Sequence, residues 1–187
     1  QVNFELRVVT TYTDDNGTTE TVTSAATTVT GDFIPANAAS EVLIGTEGQD
    51  IINGGGGADD IVALGENDII NAGTGVDSVL AGEGNDIIIG GTGNDSLFGE
   101  AGTDTFIYTI GDGADAVDGG ADIDILRILG TAAANVLDVV YDGAALTNFE
   151  GGTVDGVESI AADLLAGVDT LSYAGTTANV TVNLAAG

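Results

Sequence analysis

Aspartate recurs at every ninth residue through the middle of this chain, and that spacing points to cation chemistry. The column consists of Asp50, Asp59, Asp68, Asp77, Asp86, Asp95 and Asp104. The residue two places before each Asp is glycine in all units but one, and the residue two places after it is large and apolar. Carboxylates held at close, regular spacing repel one another unless multivalent cations neutralise them. The column is therefore a candidate cation-binding array.

The overall composition narrows the possible functions. The chain has 30 acidic residues against 2 basic ones, and its formal net charge is −28. Binding to nucleic acid or to an anionic membrane surface requires clustered Lys or Arg, so both are excluded as partners. With no His, Cys or Met, zinc fingers, haem sites, His-based triads and thiol nucleophiles are impossible. No apolar run is long enough for a transmembrane helix, yet the 43 % hydrophobic content suffices for a core.

Each nine-residue unit divides into a glycine-rich turn and a short strand. Glycine permits the positive φ values that tight turns need. A short strand directs its middle residue to one face and the residues on either side to the other. One such strand cannot bury an apolar face by itself, but stacked coils can, so the repeat predicts a solenoid.

Units such as residues 54–62 and 90–98 resemble the RTX (repeats-in-toxin) calcium-binding family, whose motif is G-G-x-G-x-D-x-U-x. The resemblance covers residues 45–107 and, after a two-residue slip, continues to Asp115 and Asp124. A degenerate half-unit precedes it, with Glu41 in the Asp column. The resemblance implies an all-β fold, a right-handed parallel β-roll with two units per coil and calcium in the turns.

The outward-facing residues support a coil of two units independently of the family. At the position immediately after each Asp, apolar and polar residues alternate from one unit to the next. We therefore expect one sheet to carry Ile51, Ile69 and Ile87 on its outer face, and the other to carry Val62, Leu80 and Phe98. Two explanations of these ladders stay open: residues of high β propensity on a stiff scaffold, or contact with a neighbouring segment or subunit.

The resemblance also implies a ligand set. Each calcium ion would lie between successive turns on one edge, shared by two Asp side chains, with carbonyls of the first and third turn positions completing the shell. The implied carboxylate ligands are Asp50, Asp59, Asp68, Asp77, Asp86, Asp95, Asp104, Asp115 and Asp124. The implied carbonyl ligands are Gly45, Glu47, Gly54, Gly56, Gly65, Thr74, Glu83, Gly90 and Thr92. Pairing along the edges predicts roughly five to seven ions.

The charge pattern predicts that calcium binding is coupled to folding. No Lys or Arg lies between residues 41 and 124, and adjacent coils about 4.8 Å apart would bring like charges close together. We therefore expect this segment to be loose without metal and to fold as calcium binds. An affinity near 10⁻⁴–10⁻³ M, as in extracellular modules, would favour folding outside the cell. In the RTX family this fits export of an unfolded chain through a type I secretion channel.

One unit departs from the motif. Residues 63–68 lack the glycine pair and carry Glu66 where the third glycine belongs. That position is expected to need a backbone conformation that glutamate disfavours, so weaker ion sites are predicted there. For Asp122, Asp163 and Asp169, ordinary turn capping explains the aspartate as well as calcium binding does.

The flanks differ in composition from the repeats. Residues 1–35 are predicted to be an N-terminal β segment and linker, with alternating Val2, Phe4, Leu6 and Val8 and a hairpin signal at residues 15–17. Residues 36–128 are assigned to the calcium-binding roll, and residues 129–187 to a wider solenoid. Strands of the wider part are predicted at 125–129, 136–141, 157–160, 170–173 and 180–184. We expect the whole to be a piece of a large secreted bacterial protein.

Two functions stay open. Because no catalytic motif is present, we expect no enzyme activity. The first function is an extracellular calcium-binding structural module of an S-layer, filament or adhesin, with copies of itself or other extracellular domains as partners through the apolar outer faces. The second is a non-catalytic secretion or folding appendage of a secreted enzyme or toxin.

Overall fold

The computed structural model describes residues 9–13, 19–23, 31–141, 146–165 and 169–172. Within these ranges every regular element is a β-strand, which confirms the all-β prediction. None of the described residues belongs to a helix that could cross a membrane.

An antiparallel pair stands at the N-terminal end. Strands β1 (Val9–Thr13) and β2 (Thr19–Thr23) pair with Thr13 opposite Thr19, as a hairpin requires. The predicted small β element before the roll is therefore present. The predicted alternation at residues 2–8 and the turn signal at residues 15–17 lie outside the described residues.

The rest of the chain winds into a parallel solenoid between two sheets. Sheet I contains β3 (Phe33–Pro35), β5 (Ile51–Asn53), β7 (Ile69–Thr74), β9 (Ile87–Thr92), β11 (Thr105–Thr109), β13 (Ile125–Leu129) and β17 (Ser159–Asp163). The repeats of sheet II contain β4 (Val42–Ile44), β6 (Asp60–Gly65), β8 (Ser78–Glu83), β10 (Ser96–Ala101) and β12 (Ala116–Asp118). Successive strands alternate between the sheets, so each coil uses two units.

The strand register confirms the predicted coil. Ile51 pairs with Ile69 and Ile69 with Ile87 in sheet I, while Val62, Leu80 and Phe98 align in sheet II. The spacing widens where the two-residue slip occurs, and Ser96 pairs with Ala116. The two extra residues lie in the loop after β11, so both sheets stay in register beyond it.

The core is a stack of the apolar residues that follow each Asp by two positions. Strand alternation turns these side chains inward, and the coil above and the coil below cover them. The buried stack comprises Ile52, Ile61, Ile70, Val79, Ile88, Leu97, Phe106, Val117 and Leu126. Their neighbours point outward: Ile51, Ile69 and Ile87 are 37–44 % exposed, and Leu80 and Phe98 are 36–37 % exposed. Both predicted outer ladders are thus at the surface.

The solenoid extends at both ends of the repeats. Phe33–Pro35, which the sequence assigns to the N-terminal segment and linker, pairs as β3 with β5. Beyond β13 the chain makes an antiparallel excursion through β14 (Val136–Tyr141), β15 (Leu146–Phe149) and β16 (Gly152–Asp155). Strands β16 and β17 then return parallel to β12 and β13. The last described strand, β18 (Thr170–Ser172), pairs with β14.

The wider coil was only partly predicted by its sequence pattern. Strands at 125–129 and 136–141 are confirmed, whereas the third begins at Ser159 because residues 156–158 form the turn. Strands β15 and β16 were not predicted, although Phe149 is fully buried and packs edge-to-face on Tyr108 at 4.7 Å. The predicted strand at 180–184 lies outside the described residues.

Candidate metal centre

The Asp column forms two rows, one along each edge of the solenoid where a turn meets a strand. One row contains Asp50, Asp68, Asp86, Asp104 and Asp124, and the other contains Asp59, Asp77, Asp95 and Asp115. All nine side chains are only 0–3 % exposed. The structure therefore brings every predicted carboxylate ligand into one of two buried rows.

Backbone hydrogen bonds align the carboxylates within each row. The Oδ1 atom of each Asp accepts the backbone N–H of the acidic residue one coil earlier. This bond measures 2.7 Å from Asp50 N–H to Asp68 Oδ1, and 3.0 Å from Asp95 N–H to Asp115 Oδ1. Each carboxylate is thus fixed at the boundary between two coils.

The second oxygen of the carboxylate is buried and has no hydrogen-bond partner among the described residues. This holds for Oδ2 of Asp59, Asp68, Asp77, Asp86, Asp95, Asp104 and Asp124. A buried carboxylate oxygen without a donor carries a desolvation cost of several kcal/mol unless a cation or a proton compensates it. A regular row of such atoms indicates a site for something positively charged.

At glycine first positions of the turns, the unpartnered oxygen lies near a backbone carbonyl of the next coil. A Cβ added to Gly54 would lie under 3.0 Å from both Asp59 Oδ2 and the Ala72 carbonyl oxygen. A Cβ added to Gly99 would meet Asp104 Oδ2 and the Gly119 carbonyl oxygen equally closely. Carboxylate and carbonyl oxygens therefore converge beside the first turn position, and this donor set fits calcium.

Side chains alone do not complete such a site. Across the part of the chain that the structure describes, no three His, Cys, Asp or Glu side chains gather at one point. Calcium takes six to eight oxygen ligands. Most of the ligands must therefore be backbone carbonyls of the turns. A pattern of acidic residues in the sequence does not reveal such ligands.

Burial raises the pKa of these carboxyl groups. Desolvation raises the pKa of Asp68 to about 7, and the charges of Asp86 and Asp50 on either side add to it. Desolvation likewise raises the pKa of Asp95, Asp104 and Asp115 to about 6. It also raises the pKa of Asp77, Asp86 and Asp124. The backbone N–H bonds oppose the rise without cancelling it, so the charged rows are unfavourable without a cation.

Most of the turns share one backbone form, which we call the open turn. In an open turn the residues four and two places before the Asp have positive φ, as Gly73 (φ 108°) and Gly75 (φ 142°) do. The open turns are residues 54–59, 63–68, 72–77, 81–86, 90–95, 99–104, 110–115 and 119–124. At most of these glycines, as at Gly73, a Cβ would overlap a carbonyl oxygen of the preceding coil, so the motif's glycines are needed there.

Within the open turns, four residues other than glycine adopt the same strained form. Glu66 has φ 67° and Leu64 has φ 88°, which confirms the backbone conformation expected for this unit. Glu100 and Asp122 also have positive φ, at 73° and 80°. Each such residue costs about 1–2 kcal/mol relative to glycine. Weaker ion binding beside Glu66 stays a prediction.

The turn at residues 45–50 has a different form, which we call the closed turn. Its second residue, Thr46, donates its N–H to Asp50 Oδ2 at 2.5 Å and its hydroxyl to Asp50 Oδ1 at 3.2 Å. Residues 36–41 are arranged similarly, with Asn37 donating to the Glu41 carboxylate. The predicted carbonyl ligands Gly45 and Glu47 therefore lie in a turn whose acidic side chain already has donors.

The other predicted carbonyl ligands lie in open turns. They are Gly54, Gly56, Gly65, Thr74, Glu83, Gly90 and Thr92. The carbonyl oxygen of Thr74 accepts the N–H of Gly57 at 2.9 Å, and that of Thr92 accepts the N–H of Gly75 at 2.7 Å. A carbonyl oxygen has two lone pairs, so each keeps one free for a cation. Their roles as ligands stay predictions.

Two acidic residues of the rows were missed from the sequence. Asp32 lies one coil before Asp50, and its N–H donates to Asp50 Oδ1. Its spacing of 18 residues from Asp50 is a signal that could have found it. Glu158 Oε2 accepts the Asp124 N–H at 2.8 Å, but it follows Asp124 by 34 residues, outside any repeat.

A comparison with known families agrees with this geometry. The family described as RTX calcium-binding nonapeptide repeat, in four copies, matches residues 36–70 and 71–106. Residues 36–106 are RTX repeats. Neither a curated protein nor a solved structure matches the chain. The RTX repeats indicate calcium binding, and the rows from Asp50 to Asp104 lie within the matched residues.

The tight stacking of the RTX turns gives a testable prediction. Gly91→Ala should lower the melting temperature in saturating calcium by about 4–8 °C more than Gly111→Ala, for about 2 kcal/mol of extra cost. Both glycines have similar φ, 87° and 99°. A Cβ at Gly91 would overlap the Gly73 carbonyl oxygen, whereas nothing lies within 4 Å of one at Gly111. Equal losses in the two variants, measured by thermal circular dichroism, would contradict close contact between the coils.

Proposed function

We propose that this chain is an extracellular structural module that folds when calcium fills its RTX turns. The observation that carries the proposal is the set of seven buried Oδ2 atoms that have no hydrogen-bond partner among the residues the structure describes, repeated along both edges. Ions held between successive open turns would give six sites within the repeats. The carboxylate pairs at these sites are Asp59 with Asp77, Asp77 with Asp95, Asp95 with Asp115, Asp68 with Asp86, Asp86 with Asp104, and Asp104 with Asp124.

In this proposal the ion joins one coil to the next. Asp59 Oδ2 and the Ala72 carbonyl belong to neighbouring coils, so a shared cation stabilises their stacking. It also removes the repulsion within each row, where no Lys or Arg lies between residues 41 and 124. Millimolar affinity would leave the chain unfolded during export and fold it outside the cell. Secretion by a type I channel and a location outside the cell or on its surface follow from this requirement.

The outer faces support a role in an assembly. Strands β3, β5, β7, β9 and β11 of sheet I contain no charged residue, although the chain carries a net charge of −28. This face bears the partly exposed ladder of Ile51, Ile69 and Ile87. It is where another protein surface can approach without electrostatic repulsion. An S-layer, filament or adhesin subunit, with no reaction of its own, is the role we favour.

The assembly role is tested by measuring molecular mass against calcium concentration. We expect light scattering to show growth beyond the monomer as calcium rises, and the double variant Ile69→Ser/Ile87→Ser to stay monomeric with the same circular dichroism. Val76→Ser is a matched control, because Val76 is 63 % exposed in a turn outside both ladders. A wild-type chain that folds yet stays monomeric at every calcium concentration would favour the appendage of a secreted enzyme or toxin instead.

A further inference from the structure

We propose an additional calcium site beyond the matched repeats, at the junction between the last open turn and the wider coil. Its carboxylates are Asp124 and Glu158, and its nearest carbonyl belongs to Gly156. The proposal rests on the proposed function of the RTX turns, and it adds a ligand that no repeat pattern contains.

The first argument is the unpartnered oxygen of Asp124. This side chain is fully buried, and its Oδ2 has no hydrogen-bond partner among the described residues. A Cβ added to Gly119 would lie under 3.0 Å from both Asp124 Oδ2 and the Gly156 carbonyl oxygen. The same pairing of carboxylate and next-coil carbonyl occurs beside Gly54 and Gly99. The junction therefore repeats the arrangement of the turns before it.

The second argument is that Glu158 replaces the next Asp of the row. Its Oε2 accepts the Asp124 N–H at 2.8 Å, the bond that Asp Oδ1 makes in every earlier coil. The turn here is three residues shorter than the one before it: residues 119–124 separate the paired positions Asp118 and Ile125, whereas residues 156–158 separate their partners Asp155 and Ser159. We infer that the longer glutamate side chain compensates for the shorter turn, so that its carboxylate still reaches the row.

The site is tested by counting bound calcium ions on the full chain. Glu158→Gln keeps the side-chain length and an acceptor for Asp124 N–H but removes the charge, and it should bind one ion fewer than wild type in native mass spectrometry. Asp124→Asn should lose at least the same ion. Glu100→Gln, at an exposed turn residue, is the matched control and should keep the wild-type count.

The possible outcomes separate the two proposals. If wild type binds no calcium, the function proposed for the RTX turns fails. If wild type binds calcium and folds while Glu158→Gln keeps the same ion count as Glu100→Gln, the RTX turns stand and the junction site is overturned.

A separate set of contacts leads to a second inference: we infer that Asn135 takes the place of a cation in the following turn. Its Nδ2 donates to carbonyl oxygens of its own turn, Ala133 at 2.7 Å and Thr131 at 3.0 Å. It also reaches the next coil, at the Leu164 carbonyl (3.1 Å) and at Asp169 Oδ1 (3.0 Å). Four oxygens from two coils thus surround one amide nitrogen.

This turn has the closed form, because Thr131 donates its N–H (3.0 Å) and its hydroxyl (3.1 Å) to Asn135 Oδ1, and the amide nitrogen occupies the position that an ion would take. Asn135 is 3 % exposed and lies five residues after Gly130, as each Asp lies five residues after its first turn position. Leu164 is the corresponding first position one coil later, and Asn135 N–H donates to Asp169 Oδ1 at 2.9 Å in the manner of the rows. The Asn135 amide nitrogen donates hydrogen bonds at the place where an Asp would have an unpartnered Oδ2. This turn is therefore stable without a metal ion.

Restoring the carboxylate should create an ion site. Asn135→Asp removes both N–H donors and places a charge beside Asp169, so the variant should bind one more calcium ion than wild type. In chelator it should have less β structure than wild type. Asn71→Asp, at an exposed strand residue, adds the same charge and should leave the ion count unchanged.

The outcome is read at saturating calcium, where circular dichroism reports whether each variant is folded. A folded Asn135→Asp chain with the wild-type ion count overturns the inference. If Asn135→Asp does not fold, Asn135→Ala decides. If the Asn135 amide replaces an ion, Asn135→Ala should bind as many calcium ions as wild type but melt at a lower temperature in calcium. An unchanged melting temperature overturns the inference.

Discussion

Asp59→Asn should raise the calcium concentration at the folding midpoint by about tenfold or more, whereas Asp60→Asn should leave it nearly unchanged. Asp59 is 1 % exposed, and its Oδ2 faces the Ala72 carbonyl oxygen with no partner among the described residues. Asp60 is exposed at the start of β6. The two variants remove the same charge from adjacent positions, and they differ only in whether that carboxylate lies in the row.

The size of this effect follows from the chemistry of the site. Removing one partner of a buried charged interaction costs about 3–5 kcal/mol, and each 1.4 kcal/mol is about tenfold in an equilibrium constant. Far-ultraviolet circular dichroism against free calcium measures the midpoint. Equal shifts for Asp59→Asn and Asp60→Asn would show that calcium responds to net charge alone, which would contradict specific ligation by Asp59.

Acid should partly replace calcium. In the metal-free fold, burial raises the pKa of Asp68 to about 7 and those of Asp95 and Asp104 to about 6, above the ordinary 3.8. The folded form therefore binds these protons more tightly than the unfolded form. Their contribution to stability is complete below pH 3.8 and is lost as pH rises through 6 to 7.

The calcium-free chain should consequently gain β structure when the pH falls from about 7.5 to about 4. Calcium binding should respond in the opposite direction: protons compete for the same oxygens, so the calcium concentration that half-fills the sites of the folded chain should rise as pH falls. Circular dichroism of a dialysed, calcium-free sample across this pH range measures the first effect. A circular dichroism spectrum that is still that of an unfolded chain at pH 4 would show that charge repulsion within the rows does not control folding.

The repeat is where sequence reasoning works best. Asp, glycine and the apolar residue each occupy a fixed column, so both rows and the buried stack follow from strand alternation and stacking. The change from Ile51 to Asp60 to Ile69 along the outer column was enough to predict two units per coil. Asp32 could have been found in the same way, since it lies 18 residues before Asp50.

Other features depend on contacts that the sequence does not contain as a pattern. Glu158 joins the row only because the chain makes the β14–β15 excursion and returns, so no spacing predicts it. The turns at residues 45–50 and 54–59 both fit the repeat, yet Thr46 N–H satisfies Asp50 Oδ2, while Asp59 Oδ2 has no partner in the described part of the chain. The difference arises from backbone conformation at the second and fourth turn positions, which the Asp column does not record.

The central claim is that the buried Asp rows fold this chain by binding calcium, and a calcium titration of the metal-free chain tests it most directly. At neutral pH we predict a cooperative gain of β signal near millimolar calcium, reversed by chelator and not reproduced by magnesium, whose ligand geometry is stricter. A β signal that stays the same from chelator to saturating calcium would contradict the claim.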